Sequence, residues 1–137
     1  MKTVYGVGEW PPENCIDGDT SSASESLCAS KSRNNNWISV RVTGTAAIGD
    51  VAVWNRVDNT EFAEWLGDFE VWLGATVGDT ASATSSKCGE ASYDEQTNSR
   101  PYVVSCGQVT SSGRYVTVKQ IGLKRFLSLA EVQVFLA

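Results

Sequence analysis

Histidine is absent from this chain of 137 residues. Imidazole is the commonest catalytic zinc ligand and the side chain that most readily exchanges protons near neutral pH, so its absence weighs against a metalloenzyme and against His-based catalysis. No apolar run approaches the roughly 18 residues that span a bilayer, so membrane insertion is not expected. The opening MKTVYGVGEW lacks the apolar centre of a signal peptide, and Met1 is expected to mark a processing boundary. Basic residues are few and scattered, 11 Lys and Arg against 16 Asp and Glu, for a formal charge of -5. The only dense group is Lys124-Arg125, which reads as a solvated loop. Phosphate binding draws on clustered cations, so nucleic acid is not an expected partner. An internal repeat and an N-x-[ST] sequon are also missing.

The cysteines number four, at 15, 28, 88 and 106, with none of the CxxC spacings of a zinc ribbon or a redox site. An even count without those spacings suits two bridges and an oxidising, extracellular setting, secreted or at a cell surface. The length fits one domain over residues 1–137, with enough buried surface for a core that needs no metal.

Short segments of alternating polarity predict half-buried antiparallel strands. In WISVRV, Ile38, Val40 and Val42 share one face while Ser39 and Arg41 take the other. In GDFEVWLG, Phe69, Val71 and Leu73 alternate with Glu70 and Trp72, and in the last strand Val132, Val134 and Leu136 oppose Glu131 and Gln133. RYVTVK, IGDVAVWN and PYVVSC are further strands. Six or more strands suit two packed sheets, so the fold class is all-β, an antiparallel β-sandwich. TEFAEWLG, with Phe62, Trp65 and Leu66 at helical spacing, predicts a short helical turn inside a loop. Two polar stretches, DTSSASESLCASKSRNNN and VGDTASATSSKCGEASYDEQTNSR, read as long loops, each holding a cysteine.

Five stretches in order, NCIDGDTSS, NWISVRV, VAVWNRVDN with LGDFEVWLG, GRYVTV and LSLAEVQVF, resemble the discoidin or coagulation-factor type C domains, and within them the F-type fucose lectins. The resemblance spans residues 14 to 135. It implies an eight-stranded, jelly-roll-like sandwich with adjacent termini and ligand loops at one end. It also implies a bridge between Cys88 and Cys106. The family ties its first polar loop to the last strand, but Ala130 occupies that place here, which leaves Cys15 as the substitute partner of Cys28. Closing so short a loop contributes roughly 3 kcal/mol on a chain-entropy estimate.

Asn14, Asp17, Asp19 and the main chain around Ser26 and Leu27 offer hard oxygen donors of the kind Ca²⁺ takes in sets of six to eight. Asx residues around a glycine also build ordinary turns. The resemblance implies a structural calcium held by Asn14, Asp17, Asp19 and Glu131, with Ser26 beside them.

The family's fucose site uses one His and two Arg. Arg56 and Asp58 match its R-x-D motif, but Ser30 lies near the place of the His, and the second Arg falls near Ala63 or Glu64. The usual fucose contacts are therefore not implied. A sugar surface remains readable in two loops: Arg33, Asn35 and Asn36 in one, Arg56, Asp58 and Trp65 in the other, where amide, carboxylate and guanidinium groups suit hydroxyl pairs and an aromatic face suits a ring. The alternatives are that the asparagines form a tight turn into Trp37 and that Trp65 plugs the sandwich end. Trp37, Trp54 and Trp72 read as sheet packing, and Trp10 as closing one end of the core.

These readings point to a non-catalytic carbohydrate-binding module whose partner is a glycan or glycoprotein. The alternative is a structural or adhesion domain that contacts other extracellular domains or copies of itself. Asp58 with Glu61 or Glu64 could form a glycosidase pair in principle, but acids in a loop are usually solvated. Phe126 and Leu127 beside Lys124-Arg125 resemble the apolar spikes of a membrane-binding discoidin domain, or more simply the entry to the last strand.

Overall fold

A computed structural model describes residues 1, 10–23, 26–109 and 113–137; the opening segment 2–9, read above for a leader, lies outside them. Eight strands form: β1 (Cys28–Ala29), β2 (Trp37–Arg41), β3 (Ile48–Asn55), β4 (Asp68–Gly74), β5 (Ser86–Ser92), β6 (Tyr102–Ser105), β7 (Tyr115–Ile121) and β8 (Ser128–Leu136). They make two antiparallel four-stranded sheets, ordered β1-β8-β3-β6 and β2-β7-β4-β5. The chain is an all-β sandwich.

The alternating segments fill the space between the sheets. Val51 and Val53 of β3, Phe69 and Val71 of β4, Val116 and Val118 of β7 and Leu129 of β8 are all completely buried. Burying side chains of this size contributes on the order of 1.5–3 kcal/mol each. In β4 the buried residues alternate with partly exposed Glu70 and Trp72, whose indole N–H donates to the Glu70 carboxylate.

Strand β5 corrects the sequence reading. Residues 86–92 belong to a stretch read as loop, yet they pair with β4 along its length. SKCGEAS is polar because β5 is an edge strand with one face to solvent, so within it only Cys88 is buried. The Cys88–Cys106 bridge ties β5, at the edge of one sheet, to the residue following β6, at the edge of the other. The second bridge, Cys15–Cys28, joins a 3₁₀ turn (Pro12–Ile16) to β1.

Strand β8 departs from simple alternation too. Its first half, Ser128 to Val132, is buried on both faces, because the Pro12–Ile16 turn lies against it. Glu131 therefore sits under that turn, 1% exposed. The register places the loops 30–36, 56–67, 93–101 and 122–127 at one end of the sandwich and 42–47, 75–85, 106–109 and 113–114 at the other.

Candidate functional site

The first set of loops holds a cavity of about 460 Å³ lined by Trp10, Ser22, Ala29, Ser30, Arg56, Asp58, Phe62, Trp65, Phe126 and Ser128. Its position follows from the end of β3. A register shift between Trp54 and Asn55 turns the Asn55 side chain inward, where its amide donates to the Ala63 carbonyl and to Asn98 Oδ1. Asn98 in turn donates to the Arg56 carbonyl and accepts from the Tyr102 hydroxyl. This buried amide network fixes the backbone from which the Arg56 side chain departs.

Helix α1 (Thr60–Ala63) and the 3₁₀ turn Glu64–Leu66 follow, as the TEFAEWLG spacing predicts. Asn59 caps the helix by accepting from the Phe62 amide at 3.3 Å, which satisfies one otherwise orphaned N–H. Phe62 and Trp65 then meet at a centroid distance of 4.7 Å, and Trp65 meets Phe126 at the same distance. The guanidinium of Arg56 lies 4.8 Å above the Phe62 ring and 5.9 Å from that of Trp65. Its Nε and Nη2 donate to the two oxygens of Asp58, at 2.8 and 2.6 Å, and Nη1 donates to Ser128 Oγ at 3.1 Å. The Arg56 hydrogen bonds hold the Asp58 carboxyl below the usual carboxylate range. Nη1 and Nη2 each keep an N–H for a ligand, and Asp58 keeps acceptor capacity.

Arg56, Asp58 and Trp65 are thus brought together. The loop 31–36 is a different matter. Asn36 is completely buried and its amide donates to the carbonyls of Lys31 and Arg125, so it is a structural clamp and not a ligand contact. Asn35 adopts a left-handed φ of 47° and accepts from the Gly122 amide, while Arg33 is exposed and donates to the neighbouring Ser32 carbonyl. Neither Asn35 nor Arg33 lines the cavity. Leu127 is wholly buried and Phe126 packs on Trp65, so the pair does not form membrane spikes. Sequence reasoning missed the roles of Phe62, Phe126 and Ser128 as cavity walls. Trp10, read as closing one end of the core, stands at the loop end as a wall of the cavity.

Of the loop read as holding calcium, Gly18 and Asp17 lie against Glu131. Its Oε2 accepts from the Gly18 amide in a short hydrogen bond, while Oε1 is buried without a partner. Burial, with a smaller contribution from Asp17, pushes the Glu131 carboxyl up to about 7. Asn14 donates to the Leu27 carbonyl, Asp17 accepts from the Asp19 amide, and Asp19 accepts from Ser26 Oγ at 2.6 Å. Among the described residues no three acidic, Cys or His side chains form a metal cage. A cation here would need amide and main-chain oxygens as well. Ser22, from the same loop, accepts from the Val57 amide at 2.7 Å and so buttresses the Arg56 wall.

Two larger depressions, of about 580 and 710 Å³, flank Arg114 at the opposite end. There Arg114 is bound to the carbonyls of Val42, Thr43 and Ala46, and among the described residues Tyr115 is the one aromatic side chain that lines them.

Among solved structures, a lectin domain of lectinolysin complexed with Lewis B antigen superposes with a TM-score of 0.75 at 23% identity, covering 98% of this chain and 89% of that one. An F-lectin from striped bass (Morone saxatilis) serum gives 0.77 at 26% identity, covering 96% of this chain and 44% of that one. The chain has the F-type lectin fold. A family 32 carbohydrate-binding module from C. perfringens NanJ, in complex with galactose, gives 0.68 at 16% identity, covering 93% and 86%. The sequence of the chain matches no family model and no curated protein. The fold's company is one of lectins and binding modules, in line with the expectation of a chain without catalysis.

Proposed function

We propose that this chain is a carbohydrate-binding module of an extracellular protein and that the Arg56–Trp65 cavity holds the sugar. The observation that carries this reading is the convergence of an Arg–Asp pair and three packed aromatic rings on one cavity at the loop end. A sugar ring needs both parts: paired donors and acceptors for vicinal hydroxyls, and a flat apolar surface for its C–H face. Arg56 and Asp58 are already fixed against each other, so little ordering is lost when a ligand arrives. The likeness to modules complexed with Lewis B antigen and with galactose supports a glycan over a peptide.

The ligand contacts differ from those of the fucose motif, because Ala63 is buried where the second Arg would stand and Ser30 is held by the backbone of Lys31 and Leu127. A glycan array probed with the intact chain tests the reading. Binding that is lost in Trp65→Ala and Arg56→Ala supports it, and an array with no bound glycan at millimolar affinity contradicts it.

A structural calcium belongs to the same proposal. The orphaned Glu131 oxygen, buried beside Asp17, fits a cation, with Asn14, Asp19 and Ser26 as neighbouring donors. The ion would supply a fixed positive charge that pins the loop, and no chemistry.

A further inference from the structure

Four of the eleven basic residues, scattered in the sequence, flank cavity residues in two segments. Lys31 and Arg33 follow the cavity residue Ser30, and Lys124 and Arg125 precede the cavity residue Phe126. The two segments are zipped together. Arg33 and Arg125 exchange backbone hydrogen bonds at 3.0 and 3.1 Å, Asn35 donates to the Gly122 carbonyl, and the Asn34 and Asn35 side chains accept from the Lys124 and Gly122 amides. Arg125 is locked from both sides. Its guanidinium donates to the carbonyls of Trp65 and Glu64, and a Cβ at Gly67 or Gly122 would lie 2.5 or 2.7 Å from it.

The result is a rigid tongue whose exposed side chains include Lys31, Arg33 and Lys124. Residues 30–37 and 119–130 contain no Asp or Glu. Among the described residues, Asp58 lines the cavity itself and is paired with Arg56, Glu61 and Glu64 stand on the segment that carries Phe62 and Trp65, and Asp68 lies opposite Ile121 and is bound by Ser92. On a chain of net charge -5 this is a local reversal of sign. A local field of that kind attracts anions and falls off over a Debye length of about 8–10 Å in ordinary buffer.

We infer that the cavity and the tongue together select an acidic glycan, with a neutral ring in the cavity and a sulfate or carboxylate of the same glycan on Lys31, Arg33 and Lys124. This inference rests on the reading of the cavity as a sugar site. Exposed ion pairs are individually weak, so two or three of them give about a tenfold preference and not an absolute requirement.

The test is an array of galactose- and fucose-terminated glycans, each in neutral, sulfated and sialylated form, probed with the intact chain and with K31S/R33S/K124N. All three positions are exposed, and Asn tolerates the left-handed φ of 52° at Lys124. Melting temperatures of the two proteins check that both are folded. The expected result is about tenfold tighter binding of an acidic form than of its neutral parent at 50 mM salt. That preference should collapse at 0.5 M salt and in the triple variant, with neutral binding unchanged; the sulfated and sialylated arms then say which acid is taken. Equal binding of neutral and acidic forms overturns the inference and leaves the sugar site standing, as does a preference that survives in the triple variant. No binding of any form overturns both. Capture on phosphatidylserine vesicles that the triple variant loses, without any preference among glycans, overturns the glycan assignment in favour of a lipid surface.

Discussion

Around Arg56, each ionic group of the cavity has found a partner within the protein: the guanidinium has Asp58 and Ser128, and the Asp58 carboxylate has the guanidinium. Around Glu131, in the same sandwich, a carboxylate is far more deeply buried, 1% exposed, and one of its oxygens has no hydrogen-bond partner. The cavity is organised before a ligand comes, and its aromatic floor is packed. The Glu131 loop carries a desolvation penalty that a cation would relieve. The two regions meet through Ser22, which belongs to the loop by sequence and to the cavity wall by contact.

The contrast can be sharpened by perturbing one region and reading the other. The largest effect is expected from opening the Cys15–Cys28 bridge, which anchors the loop. Cys15→Ala/Cys28→Ala should cost about 3 kcal/mol in chemical denaturation, and calcium should then stabilise the protein less than it does the parent. Next in size is calcium itself. At a hundredfold excess over its dissociation constant it should add about 2.7 kcal/mol. A melting curve that does not move between calcium and chelator would break the account of Glu131.

Asn36→Ala comes third. It removes one of the two donors to each of the Lys31 and Arg125 carbonyls, which keep Ser30 Oγ and the Arg33 amide, at a cost of about 1–3 kcal/mol in denaturation for the two lost hydrogen bonds, whereas Asn35→Gly, at a position that already has positive φ, should cost less, since only the Gly122 amide loses its acceptor. The last perturbation is pH. The carboxyl of Glu131 is raised in the folded chain from 4.5 to about 7. Its contribution is therefore fully present below pH 4.5 and lost as pH rises through 7, so the calcium-free protein should lose stability over that window. Calcium or Glu131→Gln should flatten the slope, measured as melting temperature against pH.

How far the sequence carried is best seen in particular residues. The period-two pattern of Phe69, Val71 and Leu73 announces β4 because one face is dry and the other wet. β5 was not legible, since an edge strand needs few buried side chains and SKCGEAS looks like the loops that flank it. Arg56, Asp58 and Trp65 could be named because the motif and the helical spacing place them within ten residues of one another. Phe126 and Trp10 could not, because only the sheet order brings them to the cavity. Asn36 was misread for a related reason. A polar residue in a polar loop looks exposed, and only the partner carbonyl of Arg125, 89 residues away, shows that it is buried glue. The cationic tongue escaped notice in the same way, since its two halves are separated by the whole of the sandwich.

The central claim is that a sugar occupies the Arg56–Trp65 cavity. The most direct measurement is a titration of the labelled protein with the tightest glycan from the array, following the indole N–H resonances of the five tryptophans. The account predicts that the Trp65 and Trp10 signals shift together and saturate, while Trp54 and Trp72, on the outer faces of the sheets, stay in place. Saturable shifts confined to Trp37, whose ring packs against Gly78 of the 75–85 loop, with Trp65 and Trp10 unmoved, would contradict it.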